Sequence, residues 1–217
     1  MKYVVFAIAM MGVPPLAVIS SLHQTWMKYA VWAMIAALAA YQGTAINFFS
    51  NEWYRGTSRG MEVSVVYLFA AAMLITAMIK RRSPKFVPSV GAALFLVHFA
   101  LCLPSWTSAE NTLFSWMEIW KMIMLYVTYL SVRAYLNVTD DVRPLVKGLA
   151  VFAVFNFLVI VKDHLSGVYQ PHGVFPHQNG LAMAMHLFAN LFFAYFLADG
   201  WRKSKLNALL SSRRPPA

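Results

Sequence analysis

The stretch MEVSVVYLFAAAMLITAMIKRRSPK, Met61–Lys85, places a long apolar run directly before a dense basic cluster. The run is close to the length of about 20 residues that a helix needs to cross the hydrocarbon core of a membrane. Four of the six residues in Lys80–Lys85 are Lys or Arg. An apolar segment that ends in cations is typical of a membrane helix at its cytoplasmic end.

The same pattern repeats along the whole chain. Of its 217 residues, 60% are apolar and only 12% are charged, whereas soluble domains carry about 25% charged residues. Lipid admits only helices or closed barrels, and the alternation of a barrel strand is absent from this sequence. The sequence therefore predicts an all-α, polytopic transmembrane helix bundle over residues 1–200, with about seven membrane segments at 3–21, 29–49, 61–79, 86–104, 113–132, 147–161 and 180–198.

The distribution of Lys and Arg predicts the orientation of these segments. Thirteen of the 18 lie on one side of the predicted membrane, four lie on the other, and Lys121 falls inside a segment. The richer side is expected in the cytoplasm, so residues 201–217 form a basic cytoplasmic tail and the N-terminus lies outside. Because these cations cluster at segment ends, the net charge of +10 does not indicate a nucleic-acid partner. The cytoplasmic set is Lys28, Lys80, Arg81, Arg82, Lys85, Arg133, Arg143, Lys147, Arg202, Lys203, Lys205, Arg213 and Arg214.

The stretch NEWYRGTSRGME, Asn51–Glu62, falls on the outer side despite its two arginines. Arg55 and Arg59 are four residues apart and would share one face of a helical turn. Two guanidinium groups on one face can hold a phosphate or diphosphate through forked hydrogen bonds. The alternative is that both arginines anchor the chain at lipid headgroups, with Trp53 and Tyr54 in the interfacial aromatic belt.

A second polar stretch on the outer side, SGVYQPHGVFPHQNGLAM, precedes the last apolar segment. Asn179 is a favourable N-cap residue, and the N-terminus of the helix that it would begin attracts anions. His172 and His177 add hydrogen-bond donors that gain charge as the pH falls. These features indicate either an anion site at the membrane surface or a capped helix with interfacial histidines.

Other site types receive less support from the sequence. Asp163 and His164, with His172 and His177, could supply metal ligands, but their spacing matches no metal-binding signature, so neither a metal nor another cofactor is expected. Cys102 is the only cysteine, which excludes a disulfide within the chain.

An ionisable pair lies inside the fifth apolar segment. Glu118 and Lys121 are three residues apart and can pair on one helix face. Lys121 is expected roughly 13 Å from the start of the segment, at 1.5 Å per residue. Ionisable groups at that depth are candidates for function. The pair either holds the helix in register or lines a polar path in a non-enzymatic membrane subunit or small transporter.

Two of these stretches together resemble the bacterial O-antigen ligase/polymerase superfamily. The residues that match are Gly173, Phe175, His177 and Asn179 in GVFPHQNGLAM, and Tyr54, Arg55, Gly56, Arg59, Gly60 and Glu62 in the YRG…RG-E pattern. Members are multi-pass proteins of the bacterial inner membrane that act on undecaprenyl-diphosphate-linked glycans at the periplasmic face in polysaccharide and lipopolysaccharide synthesis. The resemblance implies a lipid-linked glycan and membrane lipids as partners, with Arg55, Arg59, His172, His177 and Asn179 as substrate-binding residues.

The resemblance covers the chain up to about residue 200. Family members continue with further membrane helices and a large periplasmic loop that carries catalytic arginine and histidine, and no residue here matches that loop. We therefore assign binding roles alone and leave the catalytic residues unassigned. The expectation is one half of a split or truncated glycosyltransferase that needs a partner polypeptide, or a short relative of such enzymes.

Overall fold

The computed structural model describes residues 2–50, 53, 60–82, 90–175 and 177–197. Most of these residues are helical, as predicted, and a short two-stranded sheet interrupts the helices. The boundary predicted at residue 200 and the basic tail lie outside the described residues. The elements are α1 (Lys2–Leu22), α2 (Gln24–Ala39), α3 (Tyr41–Thr44), β1 (Ile46–Ser50), β2 (Gly60–Val63), α4 (Val65–Ile79), α5 (Val90–Cys102), a 3-10 turn (Pro104–Trp106), α6 (Thr112–Thr139), α7 (Arg143–Leu165) and α8 (Gln178–Tyr195).

The chain forms two compact units, Met1–Pro144 and Leu145–Ala217. The first contains α1–α6 and the sheet, and the second contains α8 and nearly all of α7.

The helices of the first unit run between two ends that carry different side chains. At one end, Trp120 Nε1 of α6 donates a hydrogen bond to the Glu62 carbonyl oxygen of β2 at 3.0 Å. At the other, Gln24 Nε2 at the start of α2 donates to the Val138 carbonyl oxygen near the end of α6 at 2.9 Å. We call these the hairpin end, formed by β1, β2, α3 and residues 116–121, and the basic end, formed by residues 23–28, 80–82 and 137–143.

Ring contacts show that successive long helices alternate in direction. Phe6 near the start of α1 contacts Phe48 of β1, with ring centroids 6.2 Å apart. Trp106, just after α5, contacts Trp116 near the start of α6 at 4.7 Å. Both contacts lie at the hairpin end, so α1, α4 and α6 run toward the basic end, whereas α2 and α5 run toward the hairpin end. This alternation agrees with the order of segments predicted from the sequence.

The β1–β2 hairpin corrects two predicted segment boundaries. Residues 46–50 and 60–63 pair as antiparallel strands, whereas the sequence placed them within the helical segments 29–49 and 61–79. Ile46, Phe48 and Phe49 favour extended backbone because branched and aromatic side chains pack well on a pleated surface. Gly60 is required at the end of the pairing, because a Cβ there would overlap the Phe49 carbonyl oxygen.

Small buried side chains let the helices of the first unit pack closely. Ala17, Ala70 and Ala77 are each fully buried, and small residues at helix contacts allow two backbones to approach. Thr76 Oγ1 of α4 donates to the Ala17 carbonyl oxygen of α1 at 3.2 Å. Tyr135, also fully buried, donates its hydroxyl to the Asp141 carbonyl oxygen at 2.8 Å.

Two helices among the described residues are long and apolar enough to cross a membrane, Tyr3–Leu22 and Arg143–Leu165. This number corrects the expectation of about seven such segments. The helices α4 and α5 are apolar but shorter, because part of each predicted run is strand or lies outside the described residues. Helix α6 is 28 residues long but carries Glu118, Lys121 and Arg133, which lower its hydropathy.

At the basic end, one carboxylate joins three elements. Asp141 Oδ2 lies 2.8 Å from Lys28 Nζ of α2, and Asp141 Oδ1 lies 2.9 Å from Arg143 Nε at the start of α7. The hydrogen bonds from Arg143 and then from Lys28 hold the pKa of the Asp141 carboxyl well below its usual range. The predicted cytoplasmic cations Lys28 and Arg143 therefore share one end of the unit, together with Arg82, whose guanidinium lies 3.5 Å from the Asn137 carbonyl oxygen.

Replacing Asp141 tests this junction. Asp141→Asn removes both ion pairs and should lower the free energy of unfolding by about 1–2 kcal/mol at neutral pH, since a partly exposed ion pair contributes up to about 1 kcal/mol. A carboxyl whose pKa is depressed in the folded state stabilises above its unfolded pKa, so the difference should shrink as the pH falls below about 4. Unfolding of both proteins in detergent, followed at pH 7 and at pH 3, measures it.

Asp140→Asn is the matched control. Asp140 has the left-handed conformation, with φ of 50°, at the end of α6, and asparagine tolerates that conformation well. Its unfolding free energy should stay within about 0.5 kcal/mol of the parent. Equal losses in the two variants would contradict a special role for Asp141.

Candidate functional site

The structure shows where the segment that carries the two predicted anion-binding arginines begins and ends. Arg55 and Arg59 lie outside the described residues, between β1 and β2. The strands pair up to Ser50 and Gly60, which are opposite each other in the antiparallel register. The chain therefore leaves and re-enters the described part of the molecule at the hairpin end. Trp53 is 84% exposed.

A half-buried polar cluster lies at this same end of the first unit. The Tyr41 and Tyr67 hydroxyl oxygens are 3.3 Å apart, and the two rings meet edge to face with centroids 6.2 Å apart. The Glu62 carboxyl is hydrogen-bonded to the Tyr41 side chain and interacts with the charge of Lys121. Lys121 Nζ also lies 3.0 Å from Glu118 Oε1. The cluster thus joins a tyrosine pair, two carboxylates and one ammonium group.

Partial burial determines the ionisation of this cluster. Burial raises the pKa of the Glu62 carboxyl above its usual value, and the hydrogen bond to Tyr41 and the charge of Lys121 oppose that rise. Burial likewise raises the pKa of Tyr41, and the neighbouring Tyr67 and Glu62 add to the increase. Tyr41 therefore remains a neutral hydroxyl at physiological pH and can donate to a carboxylate or another anion.

Lys121 lies level with the hairpin. Its interaction with Glu62 and the hydrogen bond from the adjacent Trp120 to the Glu62 carbonyl both connect it to β2, the strand that precedes α4. The side chain of Lys121 is 23% exposed and that of Glu118 is 56% exposed. The structure thus brings the ionisable pair of the fifth predicted segment to the end that also holds the ends of the Arg55–Arg59 segment.

In the second unit, the start of α8 differs from the prediction. His177 is the N-cap residue, and its Nδ1 accepts a hydrogen bond from the Asn179 backbone N–H at 3.1 Å. Asn179 was expected to be the N-cap, but it lies in the first turn, since α8 begins at Gln178. Because Nδ1 accepts, the neutral His177 ring carries its proton on Nε2, where it can donate to a ligand. His172 is also exposed, five residues earlier in the loop.

Asn156 of α7 organises the loop before α8. Its side chain is fully buried, and its Oδ1 accepts a hydrogen bond from the Val174 backbone N–H at 2.9 Å. Gly173 has φ of 61°, and a Cβ on it would overlap Asn156 Oδ1. The ring of Phe152, one turn earlier, contacts those of Phe175 and Phe188 with centroids 6.2 and 6.1 Å away. Residues 173–175 of the predicted motif are therefore held against α7 by the hydrogen bond to the Asn156 amide and by the ring contact between Phe152 and Phe175.

Several of these residues were missed in the sequence. Asn156 had a detectable signal, since it is a lone amide in an apolar segment, and such groups usually bond to a neighbouring element. Tyr41 and Tyr67 had none, because aromatic residues near segment ends are ordinary in membrane proteins. Glu62 belongs to the YRG…RG-E pattern, but the sequence does not indicate its contact with Lys121, which joins residues 59 positions apart in the chain.

The overlap at Gly173 yields a double-mutant test. Gly173→Ala and Gly167→Ala each place an alanine at positive φ, 61° and 82°, but a Cβ at Gly167 meets nothing within 4 Å. Each should lose about 1–2 kcal/mol of stability for the backbone conformation, and Gly173→Ala should lose a further 1 kcal/mol or more. In an Asn156→Ala background this excess should disappear, which a cycle of unfolding free energies measures. Equal costs at the two glycines, or additive effects, would contradict the contact.

The raised pKa of Glu62 predicts a pH-dependent substitution. A carboxyl whose folded pKa is raised stabilises most below its unfolded pKa of about 4.3, and that stabilisation is lost as the pH rises through the folded pKa. Glu62→Gln should therefore gain stability relative to the parent between pH 4 and pH 7.5, measured by unfolding at both values. Glu118→Gln is the comparison variant, and the same unfolding measurement on it gives the effect of removing the neighbouring carboxylate instead. A relative loss for Glu62→Gln over this range would contradict the burial argument.

Comparisons of this chain with known protein families, with curated proteins and with solved structures find no match. The likeness to the O-antigen ligase/polymerase superfamily therefore rests on the two quoted motifs. The chemistry of the candidate site rests on the geometry of the hairpin end and of the loop before α8.

Proposed function

We propose that this protein is a multi-pass protein of the bacterial inner membrane that binds an undecaprenyl-diphosphate-linked glycan at its periplasmic face for glycan transfer. The observation that carries the proposal is the pairing of β1 with β2. That pairing holds both ends of the Arg55–Arg59 segment at the end of the unit where Lys121 lies. The segment that carries Arg55 and Arg59 thus begins and ends at the end of the unit opposite the basic end, where Lys121 lies.

The placement in the membrane is supported by charge and by helix direction. Lys28 and Arg143 pair with Asp141 at the basic end, and Arg82 lies near the Asn137 carbonyl oxygen at the same end. An excess of cations marks the cytoplasmic side. Because the helices run between the two ends of the unit, the hairpin end then lies on the periplasmic side. In this arrangement α2, α4, α5, α6 and α8 also cross the membrane, with the hairpin and polar helix ends at the interface, and the C-terminus is cytoplasmic.

The chemistry of a diphosphate suits the hairpin end. Arginine holds phosphate oxygens through paired, charge-assisted hydrogen bonds, and an ammonium group adds a compact charge. A diphosphate leaving group gains negative charge as the glycan departs, and cations positioned around it stabilise that charge. Glu62 and Glu118 meanwhile keep Lys121 paired until an anion arrives.

The start of α8 supplies a second set of donors in the other unit. The first N–H groups of a helix favour anions, and His177 Nε2 and the Asn179 side chain add donors at the same turn. With His172, these residues are proposed to contact the lipid-linked glycan. No described residue is assigned as the catalytic group, and a partner polypeptide is proposed to supply it.

Loss of the two arginines tests the proposed site. In detergent, the full chain should bind an undecaprenyl-diphosphate glycan saturably, and Arg55→Ala/Arg59→Ala should weaken this binding at least about tenfold, because a charged hydrogen bond contributes about 1.5–3 kcal/mol. Fluorescence titration with the labelled glycan lipid measures the dissociation constant. Lys121→Ala should weaken binding in the same direction, and Glu118→Ala should not weaken it.

Arg81→Ala/Arg82→Ala is the matched control, because it also removes two arginines but at the basic end. Its dissociation constant should equal that of the parent. A loss there, with none in the Arg55/Arg59 variant, would place the binding at the wrong end and refute the proposal. Unchanged binding of the glycan lipid, with transport or subunit activity abolished by Glu118→Ala and Lys121→Ala, would favour the membrane subunit or small transporter instead.

A further inference from the structure

The basic end of the first unit carries more positive charge than its own structure neutralises. Its described residues include two acids, Asp140 and Asp141, and five cations, which are Lys28, Lys80, Arg81, Arg82 and Arg143. The net charge of these groups is three positive charges. Asp141 accounts for two of the cations through its ion pairs with Lys28 and Arg143.

Helix dipoles neutralise only part of this excess. The C-terminal ends of α1, α4 and α6 lie at the basic end, and so do the N-terminal ends of α2 and α7. Each end is equivalent to about half a charge, negative at a C-terminus and positive at an N-terminus, so their sum is about half a negative charge. About two and a half positive charges therefore remain for an outside partner.

The three consecutive cations that follow α4 are the part of this surface available to a partner. Arg81 and Arg82 are exposed and Lys80 is partly exposed. The backbone N–H groups of Arg81 and Arg82 donate to the carbonyl oxygens of Met78 and Ala77, which closes the last turn of α4. Arg81 takes φ of 53° in this turn, a position where glycine is usual. The turn thus carries the long cationic side chain of Arg81 at a position where the backbone conformation favours glycine.

The neighbouring helix holds this turn in place. Arg82 Nη1 lies 3.5 Å from the Asn137 carbonyl oxygen of α6, three residues before the Asp140 that ends that helix in a left-handed conformation. The cationic turn is therefore attached to the same α6 terminus as the Lys28–Asp141–Arg143 junction. Cations from α2, α4 and the start of α7 converge on one surface at the end of the bundle.

We propose that the surface formed by Lys80, Arg81 and Arg82, beside Lys28, binds the headgroup phosphate of an anionic phospholipid at the cytoplasmic face. The inference uses the proposed placement in the membrane but not the proposed glycan site, since no residue of the hairpin end takes part. Cations beside membrane helices attract anionic lipid, each with an effect of about fivefold on binding. The rigid turn of α4 would hold these charges at the depth of the headgroups.

Spin-labelled lipids test this proposal in a membrane. The full chain is reconstituted in phosphatidylcholine vesicles with trace spin-labelled phosphatidylglycerol or phosphatidylcholine, and the protein-bound fraction of each label is measured. The parent should prefer phosphatidylglycerol at least about fivefold at low salt, and 0.5 M KCl should reduce this preference. The triple variant Lys80→Gln/Arg81→Gln/Arg82→Gln should bind the two lipids nearly equally.

Single substitutions keep the test decisive if the triple variant does not insert. Arg81→Gln should lower the preference severalfold, whereas Arg81→Lys, which keeps the charge, should restore it. Lys162→Gln is the matched control, because it removes one exposed cation from the far end of α7, and it should leave the preference unchanged. The glycan-lipid affinity of Arg81→Gln should equal that of the parent, so the two proposals can fail separately.

Three results would overturn the proposal. One is an equal affinity of the parent for both lipids, and another is a preference that survives in the triple variant. The third is the absence of a lipid preference together with saturable binding of poly-glutamate that the triple variant loses, which would assign the surface to an acidic protein segment.

Discussion

Helix α6 contacts both ends of the first unit, and the positions of the charged side chains in that unit depend on this. Its 28 residues extend about 42 Å at 1.5 Å per residue. Near its start, Trp120 bonds to β2, and just beyond its end, Asp141 bonds to Lys28 and Arg143. The hairpin and the basic junction are therefore held at a fixed separation. The charged side chains at one end are therefore too far away to contact a phosphate group bound at the other end.

The helices could be predicted because their apolar runs are long and end in cations, a signal that depends on local sequence alone. The strands could not, because β1 and β2 resemble the ends of those runs and are defined by pairing across the intervening segment. Residues 46–50 are apolar enough to extend a helix, yet their carbonyl and N–H groups bond to residues 60–63. Among the described residues, two helices rather than about seven are long and apolar enough to cross a membrane, because some runs that looked continuous are divided between helix and strand and because α6 carries three charged side chains.

The candidate site shows the same limit. The motif before α8 marked the correct loop, but it assigned the cap to Asn179, whereas His177 holds that position. Asparagine is the more common cap, so residue preference misled here. Conversely, the hydrogen bond between Asn156 and Val174 joins residues 18 positions apart. The sequence shows its parts, a lone amide in an apolar segment and the nearby Gly173, but not that they meet. Local chemistry located the loop, and the tertiary contact determined its shape.

The two ends of the first unit differ in how their cations are paired with carboxylates, and this difference affects which anions they can bind. At the hairpin end, Lys121 is shared by Glu118 and Glu62, so an incoming diphosphate must compete with carboxylates for it. At the basic end, Asp141 pairs with Lys28 and Arg143, while Lys80 and Arg81 follow the helix with no acid in contact among the described residues. Competition lowers affinity but favours an anion that carries more charge than a carboxylate. The cations that follow α4 meet no such competition among the described residues, which suits a headgroup with a single negative charge. Under the two proposals, the hairpin end selects a diphosphate and the basic end binds an ordinary anionic lipid.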